Sequence, residues 1–318
     1  MVYSPDMKTI IATVGAVMTA VTLGAQEADE KSAEVEEEAE ETAIFEAGVD
    51  IDFFSAYVWR NTVQNDDMVI QPCVWADFTG LDPFWFGFSI WQNYDLTSNR
   101  GASLSHGLTE TDFNVHVGAT AWQSDDESMG LEFEFGHEWY ENHFVRAVAS
   151  DDLADTRELY LKAKFSNPVV DVYGQASWMY ADYGYYEQGM HYELGLTKEV
   201  DLASVFDIDE KKLTFGADWN VNFGDSHYLY YLLYGLSNPY VDDETGEVYD
   251  DYDRGPDGGI GSTTLKFYLS WQVTEWMALK GSLAYTGIVN GELRQAHGAQ
   301  DDENRDLLWG GLSLNIAF

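Results

Sequence analysis

The chain has 318 residues, 56 of them Asp or Glu against 16 Lys or Arg, for a formal net charge of −40. A polyanion of this kind is repelled by nucleic acid, and Cys73 as the single cysteine excludes an intrachain disulfide framework. Yet 45% of residues are hydrophobic and 15% aromatic, which is too much apolar surface for a disordered chain. A bundle of membrane helices is also excluded: it needs runs of about 18 or more apolar residues, and the longest candidate, Thr9–Leu23, falls short.

In chain order, Met7-Lys8, the apolar Thr9–Leu23 and then Gly24-Ala25 read as a secretory signal peptide over residues 1–25, with Met7 as an alternative start and a retained membrane anchor as the alternative reading. Residues 26–43 are expected to form an acidic, flexible periplasmic tail. Glu27–Glu41 carries 9 acidic residues and one Lys, and like-charge repulsion without an apolar face favours a solvated spacer.

Residues 44–318 change character, because apolar residues now recur with a period of two. In the first segment Val49, Ile51, Phe53, Ser55, Tyr57 and Trp59 share one face, while Asp50, Asp52 and Arg60 fall on the other. Ten further segments follow: Val69–Thr79, Phe84–Tyr94, Thr109–Trp122, Met129–Tyr140, Thr156–Phe165, Val169–Asp182, Gly189–Lys198, Leu213–Phe223, Thr263–Val273 and Trp276–Ile288. A last one ends at Phe318. Connections alternate between short turns and longer loops, with Glu199–Lys212 and Tyr183–Gln188 as the exceptions. These features predict an all-β fold, a transmembrane antiparallel up-and-down β-barrel of about 12 strands. Hydrocarbon offers backbone groups no partner, so a membrane-spanning sheet must close on itself. Tyr57, Trp59, Trp139, Trp178 and Tyr180 would form an aromatic girdle at the loop rim, and Phe78, Phe84 and Phe318 one at the turn rim. A soluble antiparallel barrel or sandwich alternates too, but its strands are usually shorter.

Two stretches carry a resemblance. The final strand, with Leu312, Leu314 and Ile316 before a terminal Phe318, resembles the sorting signal of Gram-negative outer-membrane proteins, which the barrel-assembly machinery reads. The stretch Asp52-Phe53-Phe54-Ser55-Ala56-Tyr57-Val58-Trp59-Arg60, then Val69-Ile70-Gln71-Pro72 and Gly87-Phe88-Ser89-Ile90-Trp91, resembles the start of the TorF or Gcw_chp family of outer-membrane proteins, over about the first 50 residues of the barrel. Asn61 stands where that family usually has Gly. The resemblance implies a bacterial outer-membrane location, with outer-membrane lipid, lipopolysaccharide and the assembly machinery as partners.

The residues expected to line a pore are Asp50, Asp52, Arg60, Asp112, Glu132, Glu134, Glu158 and Asp218. Carboxylates in a narrow aqueous passage concentrate cations and repel anions. The expected function is therefore a porin-like passive channel for small hydrophilic solutes, cations or nucleosides and sugars among them. Inward aromatics (Trp75, Trp85, Trp91, Trp122, Tyr140, Tyr160, Tyr173, Tyr268 and Trp309) point to the alternative, a non-conducting structural or surface-interaction barrel. A third reading, an outer-membrane enzyme, finds no Ser–His–carboxylate spacing; His116 and His191 fall on the lumen face, His137 on the lipid face, and His297, Asp301 and Asp302 near the loop rim. The acidic loop Val241–Asp257 lacks EF-hand spacing. No catalytic residue, cofactor, metal or nucleic-acid partner is expected.

Overall fold

The computed structural model describes residues 45–96, 107–142, 155–181, 189–202, 212–226, 228–229, 240–241, 248–249, 258–290 and 306–318. The signal segment, the acidic tail, most of Val241–Asp257 and the group His297, Asp301 and Asp302 lie outside the described residues.

The strands in chain order are β1 (Phe45–Phe54), β2 (Tyr57–Trp59), β3 (Thr62–Asn65), β4 (Val69–Leu81), β5 (Phe84–Asp95), β6 (Gly107–Gln123), β7 (Gly130–Asn142) and β8 (Asp155–Ser166). They continue as β9 (Asp171–Ala181), β10 (Gly189–Asp201), β11 (Leu213–Gly224), β12 (Tyr240–Val241), β13 (Val248–Tyr249), β14 (Gly259–Thr274), β15 (Met277–Ile288) and β16 (Asp306–Ala317). Among the described residues β2 pairs only with β3, and β12 only with β13. The other twelve close into one barrel in the order β1-β16-β15-β14-β11-β10-β9-β8-β7-β6-β5-β4. The seam joins β1 to β16 antiparallel, from Gly48 opposite Ala317 to Phe54 opposite Gly311, and the Phe318 amide donates to the Ala47 carbonyl at 2.8 Å. Each of the twelve predicted segments contributes one wall strand, and closure leaves the barrel no open sheet edge.

Alternation sets the two faces of the wall. Val115 is 55% exposed, Phe135 50% and Leu312 68%, and all three point outward with Phe84, Phe86, Phe88 and Ile90. A continuous belt of exposed large apolar side chains around a closed barrel is a lipid-facing surface. Aromatic rings mark its edges: Trp139, Trp178 and Tyr180 lie towards the loop ends, where Trp178 and Tyr180 are 5.2 Å apart. Phe45, Phe78 and Phe86 pack together at the turn ends.

Inward glycines decide how the lumen aromatics lie. Gly48 faces Trp75 across β1–β4, Trp85 faces Gly118 across β5–β6, and Gly136 faces Tyr160 across β7–β8. Gly195 faces Tyr173 and Gly216 faces Tyr268 in the same way. A Cβ on Gly136 would meet the Tyr160 ring at 2.3 Å, and one on Gly216 the Tyr268 ring at 2.0 Å. Each ring therefore lies down on the bare backbone of its neighbour instead of standing into the passage, as in aromatic rescue of glycine. Gly136→Ala is expected to cost about 1–3 kcal/mol by overpacking. Gly281→Ala, whose added carbon meets Leu312 at an ordinary 3.7 Å, is expected to cost little. Urea unfolding of the two variants in micelles checks the contrast.

One predicted lumen aromatic faces the other way. A register shift between Thr120 and Trp122 inserts a bulge, and Trp122 then pairs with outward Leu131 and is 46% exposed. A bulge adds one residue and so reverses the alternation beyond it.

Candidate functional site

The first strand leaves the wall early. Its alternation continues to Trp59 and Arg60, but pairing with β16 ends near Phe54 and Ser55, where the Ser55 amide donates to the Gly310 carbonyl at 3.0 Å. The chain then folds inward as the β2–β3 hairpin. Trp59 pairs with Thr62, so Arg60-Asn61 is a two-residue turn, with φ of 47° and 61°. Such turns need positive φ at both central residues. Asn61, standing where the resembled family has Gly, suits this backbone; for Arg60 the conformation is uncommon and costs on the order of 1 kcal/mol or more.

Contacts at the tip hold it there. The Arg60 guanidinium is ion-paired through Nη2 to the carboxylate of Glu158, whose side chain is fully buried. It also donates to the Tyr140 and Tyr228 hydroxyls, each at 3.3 Å. Burial works against its charge, the Glu158 carboxylate outweighs that, and the guanidinium pKa is held above its ordinary value. The Asn61 amide donates to Asn220 Oδ1 at 2.6 Å, and the Ser262 hydroxyl donates to the Arg60 carbonyl at 3.2 Å. At the hairpin base the Tyr57 hydroxyl donates to Glu110 at 2.7 Å. Tyr57 packs on Trp91, and Trp59 packs edge-on against Tyr140. The expected girdle role of Tyr57 and Trp59 is thus corrected: both rings sit inside the barrel, because the strand that carries them leaves the wall.

A second segment meets the hairpin from the other side. Asp225 caps the turn after β11: its carboxylate accepts from the Tyr228 amide at 2.8 Å and from the Met190 amide at 2.8 Å. This drives Tyr228 and Leu229 inward to 1% and 0% exposure. The result is a polar bridge across the lumen near the loop rim. One guanidinium and one side-chain amide join it to Tyr228 and to residues of β7, β8 and β11, while the Tyr57 hydroxyl ties it to β6 and the Arg60 carbonyl ties it to β14.

The bridge is surrounded by further carboxyl groups. Glu110 and Asp112 on β6 and Glu138 on β7 share the inward face with Glu158, and Glu138 accepts from Tyr140 at 2.7 Å. Asp112 is 7% exposed, and its Oδ1 has no hydrogen-bond partner among the described residues.

Below the bridge the wall has a different chemistry. Asp50 accepts from the Asn315 amide at 2.8 Å, Asp52 faces Ser313, and Asp218 faces Lys266. Glu132 and Glu134 face Lys164 and Lys162 across β7–β8. A polar chain runs from Asp77 to His116 (2.9 Å), Asn114, Tyr160 and Glu134. It crosses β5 at Gly87, where a Cβ would stand 1.9 Å from Asp77 Oδ1.

No family model matches the sequence, and no curated protein matches it. Solved structures give architectural likenesses. The NanC porin is similar at 10% identity and a TM-score of 0.44, over 85% of this chain and 98% of its own. The KdgM porin is similar at 8% and 0.41, over 86% and 99%. LpxR from Salmonella typhimurium is similar at 9% and 0.43, over 85% and 99%. Identities and scores this low carry nothing about function.

The eight predicted lumen residues divide between two levels. Asp50, Asp52, Glu132, Glu134 and Asp218 stand on the lower wall. Arg60, Asp112 and Glu158 belong to the bridge, which also recruits Tyr57, Asn61, Glu110, Glu138, Tyr140, Asn220 and Tyr228. Arg60 is the one whose setting differs most from expectation, since it sits at a hairpin tip rather than on a wall strand. The Asn at the second turn position is the one local hint of that hairpin in the sequence; Tyr228 has none.

Proposed function

We propose that this protein is an outer-membrane barrel acting as a passive, porin-like channel for small hydrophilic solutes, with a modest preference for cations. The observation that carries this reading is the lower lumen: its wall is polar and predominantly acidic, and its rings pack against inward glycines of the wall. The belt of lipid-facing side chains supports a bacterial outer-membrane location, with lipid and lipopolysaccharide around the barrel. The terminal strand ending in Phe318 supports delivery by the barrel-assembly machinery. The likeness of the first barrel residues to the TorF or Gcw_chp family accords with the same location. We assign the segment 1–25 as a cleaved signal, 26–43 as a periplasmic tail, and no catalytic residue.

Planar-bilayer recording tests the reading. Unitary currents with a reversal potential shifted towards that of the cation are expected. Glu132→Gln combined with Glu134→Gln should reduce that shift, because Lys162 and Lys164 opposite them would then dominate the local field. An unchanged reversal potential would remove these two residues from the path. A folded barrel silent at both polarities would favour a second reading, a non-conducting structural barrel, which the bridge across the loop rim supports on its own.

A further inference from the structure

Arg60 behaves as a ligand delivered by its own chain. Its guanidinium is seated on the Glu158 carboxylate and on two phenol oxygens, with Cζ 4.7 Å from the centre of the Trp59 ring and 5.7 Å from that of Tyr228. A buried carboxylate, hydroxyl acceptors and ring faces are the groups that recognise a free guanidinium or ammonium. The ring around it offers more than one arginine uses. Glu110, Asp112 and Glu138 lie on the same inward face, and Asp112 Oδ1 is a buried acceptor without a donor among the described residues. A buried acceptor left unmade costs free energy that an incoming donor recovers.

The hairpin's own backbone contributes little to holding it in place. Arg60 has a φ of 47°, and the hairpin's own ladder is three residue pairs interrupted by a register shift. Release of the tip relieves that backbone cost.

We propose that this acidic, ring-lined cluster is the recognition site for a small organic cation bearing a guanidinium or primary ammonium group, and that the β2–β3 hairpin is a tethered competitor which such a cation displaces. This deepens the channel reading and rests on it for the transport consequence, though not for the binding. The cation would enter at the loop rim, replace the guanidinium on Glu158, and place its remaining N–H groups towards Asp112. A bare alkali cation lacks those directed donors and gains less.

The test uses full-length barrel folded in detergent, with Arg60→Ala and with Arg60→Ala/Glu158→Gln. Calorimetric titration with methylguanidinium at constant ionic strength should show binding to Arg60→Ala about tenfold or more tighter than to the unaltered protein, with the gain lost in the double variant. Equal affinity across the three proteins overturns the proposal. In bilayers, methylguanidinium should block sodium current through Arg60→Ala over the same concentration range. Binding without any current keeps the site and overturns the channel reading; current without binding does the reverse. Should Arg60→Ala fail to fold, methylguanidinium added during refolding should restore the heat-modifiable folded band while tetramethylammonium does not. Restoration by neither, or by both equally, overturns the proposal.

Discussion

Arg60→Met is expected to destabilise the barrel by about 3–5 kcal/mol, the usual cost of removing one partner from a buried ion pair. Glu158 is 0% exposed and would be left without its counter-charge, among Glu110, Asp112 and Glu138. The loss of one guanidinium also removes the donors to Tyr140 and Tyr228, so several buried acceptors go unfilled together. The double variant Arg60→Met/Glu158→Leu should be less damaged than Arg60→Met alone, because it deletes the buried charge as well as its partner. Urea unfolding followed by tryptophan fluorescence reads both, since Trp59 and Trp91 pack beside the bridge. Additive costs in the double variant would mean that the two side chains do not act as a pair.

Val115→Arg addresses the other half of the structure. Val115 lies midway along β6, points outward and is 55% exposed. In water such a change on an exposed strand face alters stability by a few tenths of a kcal/mol. At the middle of a bilayer it should cost about 2–4 kcal/mol, because the guanidinium must be drawn into hydrocarbon. Folding into phosphatidylcholine vesicles, compared at a matched denaturant concentration, measures the difference. A negligible effect would mean that the apolar belt does not meet lipid.

The barrel was legible because its signal is local. Phe84/Phe86/Phe88/Ile90 against Trp85/Gly87/Ser89/Trp91 assigns both faces of β5 without any knowledge of its neighbours, and the same alternation runs along the other wall strands where no bulge interrupts it. The reading failed where a local pattern continued beyond its structural limit. Tyr57 and Trp59 keep the alternation of β1, yet they belong to a hairpin that turns inward. Trp122 keeps the parity of β6, but a bulge immediately before it reverses the face.

The site was legible as a list and not as an arrangement. Asp112, Glu158 and Arg60 could all be named as lumen residues, but Arg60 and Glu158 are 98 positions apart, and Arg60 and Tyr228 are 168 apart. Nothing in the spacing of either pair announces the contact. The composition, the period of two and the strand lengths pointed to a closed wall of about twelve strands with an apolar exterior and an acidic interior, because each strand's two faces must meet different solvents. Only the tertiary structure decided that this interior is crossed by an arginine and that its rings lie on glycines. Those outcomes depend on register and on where a chain leaves the wall, and both are set by partners remote in sequence.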